Sequence, residues 1–133
     1  MIKTKKTICF DIDGVICSQV KDGKYENAIP FKKSITLINR LYKKRYKIIL
    51  FTSRYMGRTK GNIKLVNKIG YKFTHKQLKN WNLKFHKLIM GKPSYDIIVD
   101  DKSINFNNNW IYFRASWSFS SSLLQTWNCF DFR

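Results

Sequence analysis

The sequence predicts an α/β fold, a Rossmann-like three-layer sandwich built on a mainly parallel central sheet. Two observations carry that reading. Short runs of β-branched and aromatic residues alternate with segments of helical periodicity, the order that parallel strands joined by crossover helices require. Each apolar run also stops abruptly on polar or acidic side chains, and open α/β sheets place their ligands at such carboxyl ends of strands. A chain of 133 residues, 44% of them hydrophobic, can bury one proper core and is too short for two.

Taken in order, Thr7-Ile8-Cys9-Phe10 reads as the first strand, with Cys9 as a buried strand residue, and it runs into Asp11-Ile12-Asp13-Gly14. Residues 14–29 form a polar flap; Lys21-Asp22-Gly23-Lys24 is a turn signal for a small hairpin there, and Cys17 is one of its loop residues. Pro30 opens a helix in which Phe31, Ile35, Ile38 and Tyr42, with Leu37 and Leu41, recur at helical spacing up to Lys44. Ile48–Phe51 is the second strand and ends on Thr52-Ser53-Arg54, followed by a basic, glycine-bearing loop over 54–61. Helical stretches are expected from Ile63 to Lys68 and, with Thr74 as a cap, through Leu78 to Trp81. Phe85–Met90 is a third strand leading to Lys92-Pro93, and Ile97-Ile98-Val99 a further buried run ending on Asp100-Asp101. Residues 1–113 are assigned to one catalytic domain. Residues 114–133 form a C-terminal segment without helical or strand periodicity.

In an extended chain residues i and i+2 point to the same side, so Asp11 and Asp13 can face one small volume, one as a nucleophile and the other handling a proton. A hydroxyl at the tip of the second strand can donate to a phosphoryl oxygen, Lys92 can offset its charge, and the acids at 100 and 101 can hold a cation. Singly each feature has a plain structural reading: a surface turn, a helix cap, one more lysine, a solvated turn. Together, in this order and each at a strand end, they describe a phosphoryl-transfer site.

That ordered set resembles the haloacid dehalogenase superfamily of phosphohydrolases, with its Asp-x-Asp after the first strand, a Thr or Ser after the second, a Lys, and a paired-acid strand end. The resemblance spans residues 7–106. It implies a haloacid dehalogenase-like fold, with Asp11 as nucleophile, Asp13 as general acid and base, and Thr52 and Lys92 on the phosphoryl group, Ser53 and Arg54 lying beside them as substrate-binding candidates. It also implies a Mg²⁺ held by Asp11, the backbone carbonyl of Asp13 and an acid of the last motif, Asp101 in preference to Asp100. The segments Asp11–Cys17, Gly91–Asp96 and Val99–Phe106 are similar to small bacterial proteins found among surface-polysaccharide genes. The intervals between motifs are too short for a large cap domain, which leaves an open site shielded by the flap and by an oligomeric neighbour if one forms. The expected activity is Mg²⁺-dependent hydrolysis of a phosphate monoester, on a phosphorylated sugar or related metabolite. The alternatives are a phosphatase for nucleic-acid ends and a non-catalytic binding protein that keeps the fold.

The formal charge of +18, from 26 Lys and Arg against 8 Asp and Glu, draws small phosphorylated substrates and leaves nucleic acid as the less favoured partner, since the lysines are spread along the whole chain and also fit a coding bias. Three cysteines without a pairing pattern and no signal segment point to the cytoplasm, and no apolar run reaches the ~20 residues of a membrane span. His75 and His86 are expected to be packing or surface residues.

Overall fold

The computed structural model describes residues 6–104. Strands β1 (Thr7–Phe10), β2 (Lys47–Thr52) and β3 (Lys87–Met90) form one sheet in the order β1-β2-β3, each pair parallel. The α/β class, with a parallel sheet and no large cap among the described residues, is thus shown. The expected boundary between residues 113 and 114, and the segment beyond it, lie outside the described residues.

Register explains which strand residues are apolar. Phe10, Leu50 and Leu88 lie side by side, as do Thr52 and Met90, and all five are buried. Phe10, Leu50, Leu88 and Met90 form one hydrophobic cluster with Ile35 and Ile38 of α1 (Lys32–Lys43) and with Val66 and Leu78 of the second helical stretch. The helices therefore cover this face, as right-handed crossovers running in one direction across a sheet dictate. On the opposite face Ile49, Phe51 and Ile89 are half-buried and Cys9 is exposed, which corrects the expectation of a buried Cys9. The physical reason is that a strand shows its two faces alternately, and Cys9 falls on the one these helices do not cover.

The helical stretch after β2 begins at Asn62, whose side chain accepts from the Leu65 backbone N–H at 3.1 Å. It runs without a break through α2 (Ile63–Val66), a π-helical turn (Asn67–Tyr71) and α3 (Lys72–Asn80). Thr74 is therefore not a cap. It is buried in mid-helix, and its hydroxyl has no hydrogen-bond partner. At Gly70 the Tyr55 ring lies directly against the helix backbone, leaving no room for a side chain. Gly70→Ala is expected to lose about 1–3 kcal/mol of stability through overpacking, more than the ~1 kcal/mol that alanine brings to a helix. Urea unfolding measures it, and a stabilised variant would mean that Tyr55 moves aside freely.

Two further expectations change. The flap contains two short 3-10 turns, Lys21–Gly23 and Tyr25–Asn27, rather than a hairpin. Ile97–Val99 form no strand: they pair with no described strand, and Val99 is 96% exposed. A short apolar run states only that a strand is possible; a strand exists through ladder pairing, and neither flanking Asp nor apolar pattern supplies the partner.

Candidate functional site

The site lies at the carboxyl ends of the three strands. Beyond Phe10 the chain bends at Ile12, which is fully buried, while Asp11 and Asp13 on either side of it are half-buried. Gly14 then takes φ +84°, a conformation that L side chains rarely adopt. The turn is closed by Gly14 N–H donating to the Cys17 carbonyl at 2.7 Å and Ile16 N–H to the Ile12 carbonyl at 2.8 Å.

Asp11 is held at both oxygens. Oδ1 accepts from the Ile12 N–H at 2.7 Å, and Oδ2 accepts from Lys92 Nζ at 2.6 Å. Lys92 is brought there by β3, and its own N–H donates to the Thr52 carbonyl at 3.0 Å, which pins the lysine to the tip of β2. Burial disfavours the ammonium, but the bond to Asp11 and the nearby Tyr95 outweigh it, so the Lys92 pKa is raised and the group stays charged.

Asp13 faces Arg54, which is 1% exposed. Arg54 Nε and Nη2 donate to the Asp13 carboxylate at 2.7–3.1 Å, Nη1 donates to Gln77 Oε1 at 2.7 Å, and the guanidinium carbon stands 4.6 Å from the centre of the Tyr25 ring. Burial opposes the charge on Arg54 and the Asp13 carboxylate restores it, so its pKa is raised. Cys17 is buried against the same pair, and burial first, then the charge of Asp13, push its thiol up to about 12. It is a packed neutral thiol and not a nucleophile.

These residues surround a crevice with two lobes that share Asp11 and Ser53 as a common wall. One lobe, of about 220 Å³, is lined by Lys92, Pro93, Ser94 and Tyr95; the other, of about 260 Å³, by Asp13, Gln19, Val20, Tyr25 and Arg54. Of the residues singled out from sequence, Asp11, Asp13, Ser53, Arg54 and Lys92 meet here. Thr52 does not line the crevice: it is fully buried, and its hydroxyl oxygen accepts from the Arg54 N–H at 3.2 Å, leaving half-buried Ser53 as the hydroxyl residue of the pair that lines it. Gln19, Tyr25 and Gln77 were not legible as site residues, because each enters through tertiary contact with the Arg54 side or the flap.

Asp100 and Asp101 stand on an exposed turn, where Asp100 Oδ1 accepts from the Lys102 N–H at 2.7 Å, and they do not line the crevice. The assignment of Asp101 or Asp100 to the same cluster as Asp11 is therefore not met in this arrangement, for the same reason that Ile97–Val99 have no strand partner. Among the described residues no group of three His, Cys, Asp or Glu side chains stands together to hold a metal ion. The hard oxygens of Asp11 and Asp13 at the crevice are of the type Mg²⁺ prefers. The two histidines pack as expected: His86 Nδ1 accepts from the Ile48 N–H at 3.0 Å and its ring stacks on Tyr42, while His75 lies between Tyr71 and Phe85. Among the described residues no helix is long and apolar enough to cross a membrane.

No family model matches the chain, and no curated protein matches it. Among solved structures, the crystal structure of an MCSG target from Vibrio cholerae is similar, with a TM-score of 0.69 at 21% identity over 81% of this chain and 94% of that one. At that identity the likeness is one of fold: the α/β arrangement recurs over nearly the whole length of the Vibrio protein.

Proposed function

We propose that this chain is a phosphatase of the haloacid dehalogenase type, hydrolysing the monoester of a phosphorylated sugar or a similar small metabolite. The observation that carries the reading is the Asp11–Lys92 pair at 2.6 Å, with Asp11 and Ser53 on the wall shared by both lobes. A carboxylate oxygen of Asp11 attacks phosphorus and the bond from phosphorus to the ester oxygen breaks. The leaving alcohol takes a proton from the Asp13 carboxyl, and the phosphoryl group stays on Asp11 as an acyl phosphate. Water then attacks that phosphorus, gives a proton to Asp13 and releases inorganic phosphate, which returns both acids to their starting state. Lys92 and Ser53 supply donors to the phosphoryl oxygens, where negative charge gathers in each transition state. Mg²⁺ belongs to the proposal as the cation that Asp11 and the Asp13 carbonyl would hold, supplying charge that lets an anionic carboxylate approach an anionic ester.

The flap-side lobe favours a small neutral alcohol as leaving group. Its ionisable lining is Asp11, Asp13, Tyr25 and Arg54, and the arginine is already committed to Asp13, so a second phosphate would meet carboxylates without a free cation. One observation favours the second reading, an oligonucleotide end. Lys64, Lys68, Lys72 and Lys76, with Lys79, are exposed along the helical stretch 63–80, which contains no acidic residue.

Phosphate release from a panel of sugar phosphates and 3′-phosphorylated oligonucleotides decides between the two. Sugar phosphates are expected to be hydrolysed at least tenfold faster, with turnover lost in EDTA and restored by Mg²⁺. Preference for the oligonucleotide would promote the second reading, turnover indifferent to EDTA would remove Mg²⁺, and no release from any monoester would end the proposal.

A further inference from the structure

Resting on the phosphatase reading, we infer that Arg54 is a positioning residue: it aims the Asp13 carboxyl at the crevice and ties the flap to it through Tyr25 and Gln77. Sequence places Arg54 among the substrate-binding candidates, yet the geometry leaves it little to offer a substrate. Its side chain is fully covered, whereas that of Asp13 is 22% exposed. The guanidinium thus grips Asp13 from the protein side, and the uncovered part of the Asp13 side chain lines the lobe with Gln19, Val20 and Ser53.

The bonding pattern uses what distinguishes arginine from lysine, a rigid fork of donors around a flat face. Nε and Nη2 fix the orientation of the carboxylate plane through three contacts of 2.7–3.1 Å. Nη1 reaches Gln77, whose Nε2 donates at 2.6 Å to the Tyr25 carbonyl on the flap. The guanidinium carbon lies over the Tyr25 ring, and the Tyr25 hydroxyl in turn accepts from the Tyr55 N–H at 3.3 Å. One side chain therefore sets both the proton-handling acid and the wall of the leaving-group lobe. A buried ion pair is weak evidence for stability as such, whereas a carboxyl that must meet a leaving oxygen gains directly from a fixed orientation.

First-turnover alcohol release tests the role, because it separates proton delivery from general damage. A sugar phosphate needs a proton on its leaving oxygen; 2,4-dinitrophenyl phosphate expels a stable phenoxide and does not. Arg54→Ala is expected to slow release of the sugar by about 100-fold or more, within the range of lost acid catalysis, and release of dinitrophenol by less than about tenfold. KM should change little. Arg54→Lys is expected to recover part of the loss, since it restores charge but not the fork. Should Arg54→Ala fail to fold, Gln77→Ala, which leaves the Arg54–Asp13 contact in place, is expected to show the same selective loss in weaker form. Equal losses on both esters, or a rise in KM with the rate constant unchanged, would overturn the positioning role. If the unaltered protein released alcohol from neither ester, the phosphatase reading itself would fall, and the two failures are thereby distinguished.

Discussion

Asp11→Asn is expected to lower turnover by a factor on the order of 10⁴ or more, the scale seen when a catalytic nucleophile is removed, while the fold is retained. The amide is nearly isosteric with the carboxylate, and its oxygen can still accept from the Ile12 N–H or from Lys92, whose bonds hold Asp11 at 2.7 and 2.6 Å. What it cannot do is attack phosphorus to give a stable acyl phosphate. The side chain is one-third exposed, so weakening its ion pair costs little stability. Phosphate release from a reactive aryl monoester, with a thermal melt of the same sample, checks both halves of the expectation. Undiminished turnover in that variant would remove Asp11 from the chemistry.

Leu50→Ala is expected to destabilise the protein by about 2–5 kcal/mol, the range for emptying a buried leucine site. Leu50 is 0% exposed and stands between Phe10 and Leu88 in the register of the central strand. Its loss opens a hole where all three strands meet, and little nearby can collapse into it, because both neighbours are fixed by ladder bonds. Against a total stability of about 5–15 kcal/mol, such a change shifts the urea midpoint clearly. The same strand carries Thr52, and Ser53 and Arg54 follow directly, so activity should fall along with the folded fraction rather than ahead of it. A loss below about 1 kcal/mol would show that the core repacks far better than its geometry suggests.

What the sequence made legible were features set by neighbours along the chain. The i, i+2 spacing of Asp11 and Asp13, the apolar run of β2 with its polar tip, and the approach of β3 to Lys92 all follow from local periodicity. Features that depend on distant partners were not legible. Arg54 reads like any basic residue in a lysine-rich chain until Asp13, Gln77 and Tyr25 are seen around it. Ile97–Val99 carry an apolar pattern as good as that of β3, yet among the described residues only β3 of the two has a neighbour to pair with. Thr74 suggested a fresh helix start after Lys68, whereas one helical stretch runs on through a π-helical turn, with the Tyr55 ring seated against Gly70.

The parallel register has a consequence for how the molecule comes into being. Ile8 pairs with Ile48 and Leu50 with Leu88, so each ladder joins residues about forty positions apart in sequence. Parallel strands cannot zip up from a tight turn; a long loop must close before the first bond forms, which makes such sheets slow to assemble. Asp11 and Asp13 are close together from the moment of synthesis, but Arg54 and Lys92 arrive only with β2 and β3. Until then the two acids lack the cations that pair with them in the finished crevice. Each docking strand brings the cation that pairs with one of them, so the finished crevice exists only once the sheet has closed. Recovery of catalysis during refolding should accordingly trail recovery of helix signal and coincide with docking of β3.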